Sequence, residues 1–178
     1  MFFYKSILFP ITYECNLSCA LCCVKNCKQL VNIQESLKYL QNNKLSEWVY
    51  ITGGEPFLIT QLESICDSLK EYGYKVGITT NGTFFRPEIA EHVDRFGISL
   101  DGCQEYHDFY RGQGVFEKAL FLLNSVKNRC ETVIMSTVFK ENIEHLRKLK
   151  PIIEEINPTY WQIQRDINDS NLVIPEDL

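Results

Sequence analysis

Residues 6–22, SILFPITYECNLSCALC, run from an apolar stretch straight into cysteines 15, 19 and 22. The stretch Ile7–Tyr13 has the β-branched and aromatic content of a buried strand, and the loop behind it carries thiols in the spacing Cys15-X3-Cys19-X2-Cys22. Iron–sulfur cubes are held by cysteine thiolates and normally take four, so a compact loop offering three leaves one iron without a protein ligand. Structural zinc is the competing reading; it needs four N or S ligands and commonly uses two CxxC pairs. Cys19 and Cys22 make one such pair and no second one follows, yet Cys23 and Cys27 are at hand to complete a four-sulfur set. The loop by itself leaves both metals open.

Outward from that loop, strand-like and helix-like patterns alternate. Short β-rich runs lie at Ser6–Tyr13, Trp48–Thr52, Lys75–Thr80, Arg95–Leu100, Thr132–Phe139 and Tyr160–Arg165. Helical periodicity fills the intervals at Ile33–Asn42, Gln61–Tyr72, Pro87–Val93, Val115–Lys127 and Ile143–Ile156. Helices between successive strands predict parallel pairing through right-handed crossovers. A full eight-unit barrel takes about 250 residues, roughly 31 per unit, so this chain holds five to six units. The spacing therefore predicts an α/β fold, a partial (β/α)6 barrel with a parallel six-stranded sheet open on one side. Residues 1–165 form its core, and the polar segment 166–178 reads as a tail and the one linker candidate.

In parallel α/β folds ligands sit at the carboxyl ends of strands. The cysteines follow the first predicted strand, Gly53-Gly54-Glu55-Pro56 the second, Thr79-Thr80-Asn81-Gly82 ends the third, and Ser99-Leu100-Asp101-Gly102 ends the fourth. Two glycines without Cβ atoms allow close backbone approach, and Glu55 is an acceptor for a charged amine. Each segment also reads as an ordinary turn, since Gly, Pro, Asn and Asp punctuate any loop. Ser99 and Asp101 lie two apart, hence on one face of the strand.

These motifs, in this order and with the apolar Leu21 before the last cysteine, resemble the radical S-adenosylmethionine (radical SAM) superfamily. The resemblance implies a [4Fe-4S] cluster on Cys15, Cys19 and Cys22, whose fourth iron is chelated by S-adenosylmethionine. It implies reductive cleavage of the sulfonium to a 5′-deoxyadenosyl radical that abstracts hydrogen from a substrate, with electrons from a flavodoxin- or ferredoxin-type donor. It further implies cofactor contacts from Gly53, Gly54, Glu55, Thr80, Asn81, Ser99 and Asp101. Residues 107–118 are similar to the segment found in members that modify peptides or build the molybdenum cofactor, where an arginine pairs with the methionine carboxylate; Arg111 is the residue in place, with a surface position as its plainer reading. Val138 and Gln162 or Gln164 are the candidates against adenine, with Trp161 and Ile163 turned to the helices. His107 is expected to orient its loop, because hydrogen-atom abstraction needs no proton-transfer residue.

Composition sets the remaining limits. A net charge of −5 without a lysine or arginine stripe disfavours nucleic acid. No 18-residue apolar window predicts a membrane span, and Lys5 and Pro10 interrupt the first apolar run, so it reads as a strand and not a signal peptide. Five of the eight cysteines crowd into residues 15–27 while Cys66, Cys103 and Cys130 stand singly, a distribution that fits a reducing cytoplasm and predicts the three as small core residues. Cys23 and Cys27 read as extra sheltered thiols, and His92 and His145 as surface residues. An open sheet edge predicts a homodimer or a large substrate covering the gap. The segment 107–118 favours a peptide or protein side chain as substrate. Alternatives are a nucleobase enzyme of the deazaguanine-precursor type, a glycyl-radical activase and, in another class, a non-catalytic module holding zinc or a redox-inert cluster.

Overall fold

Half-buried and buried positions alternate along residues 48–51, Gly77 and Gly97 make the runs 76–78 and 96–98 buried throughout, and the pleat decides the face each side chain takes. Phe9, Ile11, Val49, Ile51, Val76, Ile78, Phe96, Ile98 and Ile134 all point to one side and join a single core. The computed structural model, which describes residues 5–166 and 172–178, places these positions on six strands: β1 Ser6–Thr12, β2 Trp48–Gly53, β3 Lys75–Thr80, β4 Arg95–Ser99, β5 Glu131–Val138 and β6 Tyr160–Arg165. They form one sheet in chain order, every neighbouring pair parallel. The expected α/β fold with an open, parallel six-stranded sheet is the architecture observed.

Five helices supply the other half of the core: α1 Ile33–Asn42, α2 Leu62–Glu71, α3 Gln104–Arg111, α4 Val115–Val126 and α5 Ile143–Ile156. Leu37 and Leu40 of α1, Leu62, Ile65 and Leu69 of α2, Leu122 and Leu123 of α4, and Leu146 and Leu149 of α5 carry the apolar stripes. Two helical expectations are corrected. Pro87–Glu91 is a short 3-10 turn, while α3 has no counterpart among the expected helices. Its buried residues are Tyr106, His107 and Asp108, so its inward face is aromatic and polar and gives no apolar stripe to read.

The opposite face of the sheet mixes Gly77, Thr79, Gly97 and Ser99 with Leu8, Val133 and Met135, and its lower end is filled by one cation stack. Arg95 donates to the Tyr50 hydroxyl at 2.7 Å and to Glu131 at 2.6 and 2.9 Å, while its guanidinium lies 4.4 Å from the Trp48 ring and 5.0 Å from that of Tyr160. This stack ties β2, β4, β5 and β6 together at their amino ends and leaves the carboxyl ends free. Within residues 172–178, Leu172 is buried in the core, and Asp177 pairs with Arg147 of α5 at 2.7 Å. Among the described residues no helix is long and apolar enough to cross a membrane.

Candidate active site

The cysteine loop is held by the end of β2. Gly54 N–H donates to Thr12 at 2.7 Å and Glu55 N–H to Glu14 at 2.8 Å, which clamps the strand end to the chain entering Cys15. Gly53 stands at φ +131°, and a Cβ there would sit 2.0 Å from the Thr12 carbonyl oxygen; one on Gly54 would sit 2.0 Å from that of Glu14. The close approach these glycines permit is thus to the chain's own backbone, a tighter constraint than the ligand approach expected of them.

Glu55 is fully buried beneath that clamp. Its carboxylate accepts from Phe57 N–H at 3.0 Å, Thr80 hydroxyl at 2.8 Å and Asn81 N–H at 2.8 Å, so it joins β2 to the end of β3. Desolvation pushes its pKa up, and the three donors and nearby Arg111 pull against that. The Thr80 hydroxyl is occupied as well, accepting from Gly82 N–H at 3.1 Å. Asn81 reaches the cysteine loop: its amide donates to Asn16 at 3.0 Å and lies 3.8 Å from the Cys15 sulfur, while its oxygen accepts from Thr83 N–H at 2.9 Å.

Asp101 is the second knot, only 6% exposed. One carboxylate oxygen accepts from Arg111 Nε at 2.7 Å and the other from Thr137 N–H at 2.9 Å. Its backbone N–H donates to His107 Nδ1 at 3.2 Å, and its carbonyl accepts from Asn142 Nδ2 at 2.8 Å. His107 does orient this loop. Burial, followed by the Arg111 charge, pushes its pKa down to about 4, so the ring is neutral near pH 7 with its proton on Nε2. Arg111 stands at the end of α3 with only Nε committed. Among the described residues its two Nη groups donate to no protein acceptor, and its charge is felt at Cys19.

Three contributors were absent from the sequence reading. Asn142 ties the ends of β4 and β5, donating also to the Thr137 carbonyl at 2.8 Å and accepting from Phe139 N–H at 2.8 Å. Its place before the α5 periodicity marked it at most as a helix cap. Asp108 accepts from Gly114 N–H and Phe116 N–H, both at 2.9 Å, and so caps α4 from one helix away. Asn16 links Asn81 to Thr83, donating to the latter at 2.8 Å; lying between two of the cysteines was its one signal.

Parity corrects the adenine candidates. Thr137, not Val138, is the cross-strand partner of Gln164, and Gln164 donates to its hydroxyl at 3.3 Å. Val138 shares the helix-facing parity of Ile134 and is fully buried, so its side chain is turned away from the open face. Gln162 and Gln164 are exposed while Trp161 and Ile163 pack on the core, as the alternation predicts. Ser99 ends β4 half-buried opposite Met135. Of the single cysteines Cys66 lies within the core, its thiol pushed up to about 12 by burial, and Cys130 packs against the core. Cys103 is half-buried with its sulfur 3.2 Å from Nδ1 of His145, and Cys130 is half-buried too. His145 is therefore no plain surface residue; His92 lies 2.7 Å from Asp67.

The three motif thiols share one loop beside Arg111. Burial pushes the Cys15 and Cys19 thiols up, and at Cys19 the guanidinium opposes that while the Cys15 and Cys22 sulfurs add to it. Among the described residues no three His, Cys, Asp or Glu side chains are closed around a common centre. A family model described as the Radical SAM superfamily matches residues 9–150.

The chain belongs to the radical SAM superfamily. It is 26% identical over 164 residues to the Fe-coproporphyrin III synthase of Methanosarcina barkeri, covering 84% of this chain and 41% of the relative. To the mycofactocin maturase MftC of Mycolicibacterium smegmatis it is 27% identical, covering 79% of this chain and 39% of that one. Among solved structures, Streptococcus suis SuiB bound to S-adenosylmethionine superposes with a TM-score of 0.79 at 16% identity, over 98% of this chain and 43% of the other. SuiB bound to its precursor peptide SuiA gives 0.78 at 16% identity, over 92% and 40%. This radical SAM chain spans less than half the length of these proteins.

Proposed function

We propose that this chain holds a [4Fe-4S] cluster on Cys15, Cys19 and Cys22 and S-adenosylmethionine across the carboxyl ends of β1–β5, and that it acts on a peptide or protein side chain. The observation that carries the reading is the convergence of three loops: Asn81 touches the cysteine loop through Asn16, and Ala20 N–H of that loop donates to Tyr110 at 3.3 Å, next to Arg111, whose two Nη groups meet no protein acceptor among the described residues. The chemistry of the donor set fits the cluster, since the three thiols of Cys15, Cys19 and Cys22 on one loop are the ligands such a cube takes while keeping an iron open. When bound, the two groups supply one-electron cleavage of the sulfonium and the hydrogen-atom abstraction that follows.

The chain's own residues supply position. The Nη face of Arg111, aimed by Asp101, suits a carboxylate in bidentate fashion. Glu55 and Asp101 hold the β3 and β4 loops rigid with buried hydrogen bonds, so that Asn81 and Ser99 present fixed polar groups to the nucleoside. The peptide reading is supported by relatives named as a maturase and by the peptide-bound SuiB neighbour. Electrons would enter from a flavodoxin- or ferredoxin-type carrier.

Anaerobic reconstitution tests the proposal. About four iron and four sulfide per chain are expected, with 5′-deoxyadenosine formed on adding S-adenosylmethionine and a strong reductant. Alanine at Cys15, Cys19 or Cys22 abolishes that product, whereas Cys23→Ala and Cys27→Ala retain it. One tightly bound zinc without labile sulfide, or cleavage surviving Cys19→Ala, overturns the reading.

A further inference from the structure

Cys103 and His145 stand side by side at the amino ends of α3 and α5, the helices that follow the neighbouring strands β4 and β5. Cys103 is the residue before α3, and its sulfur makes no capping bond to that helix. His145 lies in the first turn of α5, with its carbonyl accepting from Cys103 N–H at 3.0 Å and its Nδ1 3.2 Å from Cys103 Sγ. The imidazole is locked by stacking, its centroid 4.5 Å from that of Tyr106 at an interplanar angle of 29°. Both the thiol and the ring are half-buried, so the pair is reachable from solvent.

The pair opens on a groove of about 950 Å³, whose wall also includes Gln104, Glu105, Tyr106, Phe109 and Tyr110. Two features of the wall are unused by the fold. The Tyr106 hydroxyl is buried without a hydrogen-bond partner among the described residues, although the residue is only 7% exposed. Phe109 leaves most of its ring, 81%, open to solvent. Glu105, in the first turn of α3, is exposed and sets a negative charge at the rim.

We propose that Cys103 and His145 form a thiol–imidazole pair that exchanges with small disulfides, preferring those of net positive charge, and so makes Cys103 a covalent modification site outside the cysteine loop. The helix amino terminus and a neighbouring imidazole are the two settings that activate a cysteine as a nucleophile. His145 Nδ1 takes the thiol proton, and the Cys103 sulfur attacks one sulfur of the disulfide. The disulfide bond breaks, a protein–ligand S–S bond forms, and the departing thiolate takes up the proton. Cys103 is oxidised and one half of the disulfide is reduced to free thiol, so no further oxidant is needed. A cationic amine on the transferred half faces Glu105, and the groove has room for it.

The test uses the full chain with its metal site loaded, exposed anaerobically to cystamine or to glutathione disulfide, with site-resolved mass spectrometry over time. Cys103 is expected to take up cysteamine at least about tenfold faster than exposed Cys23 or half-buried Cys130, and faster from cystamine than from glutathione disulfide. Buried Cys66 stays unmodified. His145→Gln slows Cys103 by about tenfold and leaves the Cys130 rate unchanged. The wild-type ranking alone decides the matter if that variant folds poorly. Reaction of Cys103 no faster than Cys23 and Cys130, or an unchanged Cys103 rate in folded His145→Gln protein, overturns the proposal.

Discussion

Replacing Asp101 with asparagine tests the knot that aims Arg111. Both native carboxylate oxygens are spoken for, one by Arg111 Nε at 2.7 Å and one by Thr137 N–H at 2.9 Å. An amide offers one acceptor and turns an NH2 toward the other donor, and Arg111 keeps its charge without its ion-pair partner. The side chains are 19% and 9% exposed, so solvent screens the loss only in part. Breaking a buried pair by removing one partner costs about 3–5 kcal/mol. For a chain of this length each kcal/mol moves Tm by roughly 2–4 °C, so Asp101→Asn is expected to lower Tm by about 6–20 °C. The assay is thermal unfolding of metal-free wild type and variant followed by circular dichroism, which separates the effect from cofactor binding. On the role proposed for Arg111, S-adenosylmethionine affinity of the loaded protein is expected to fall as well, since the guanidinium loses its aim. A Tm within about 2 °C of wild type would refute the claim that this pair braces the loop.

Three further substitutions probe the same framework. Gly54→Ala drives a Cβ toward the Glu14 carbonyl at 2.0 Å and breaks two backbone hydrogen bonds worth about 1 kcal/mol each; a urea midpoint equal to wild type would contradict it. Asp108→Ala uncaps α4 by stranding the Gly114 and Phe116 N–H groups, expected to cost about 1–2 kcal/mol in the same measurement. His107 has its folded pKa pushed down to about 4, below the unfolded value near 6.5, so the unfolded state binds the extra proton between those limits and stability falls as pH drops through that window. Its share is about 2 kcal/mol between pH 7 and pH 5, and His107→Asn, which keeps an acceptor for Asp101 N–H, removes that share from the urea-derived stability difference; an identical pH profile would count against it.

The order of elements and the places where chemistry gathers were present in the chain itself. Alternating apolar residues mark β1 to β6, periodic leucines mark α1, α2, α4 and α5, and the cysteine, GGEP, TTNG and SLDG segments each follow a strand. These signals are local: pleat, helix turn and turn chemistry repeat within a few residues, so a sequence displays them directly. What only the tertiary structure decided is which polar group answers which. Asp101 meets Thr137 across 36 residues and Asn142 across 41, Asn81 meets Asn16 across 65, and Cys103 meets His145 across 42. Likewise α3 escapes detection because its inner face packs His107 and Asp108 rather than a stripe of leucines. Once the parallel crossovers bring the strand ends side by side, buried polar atoms must find partners there, and those pairings belong to the assembled sheet and to no single segment.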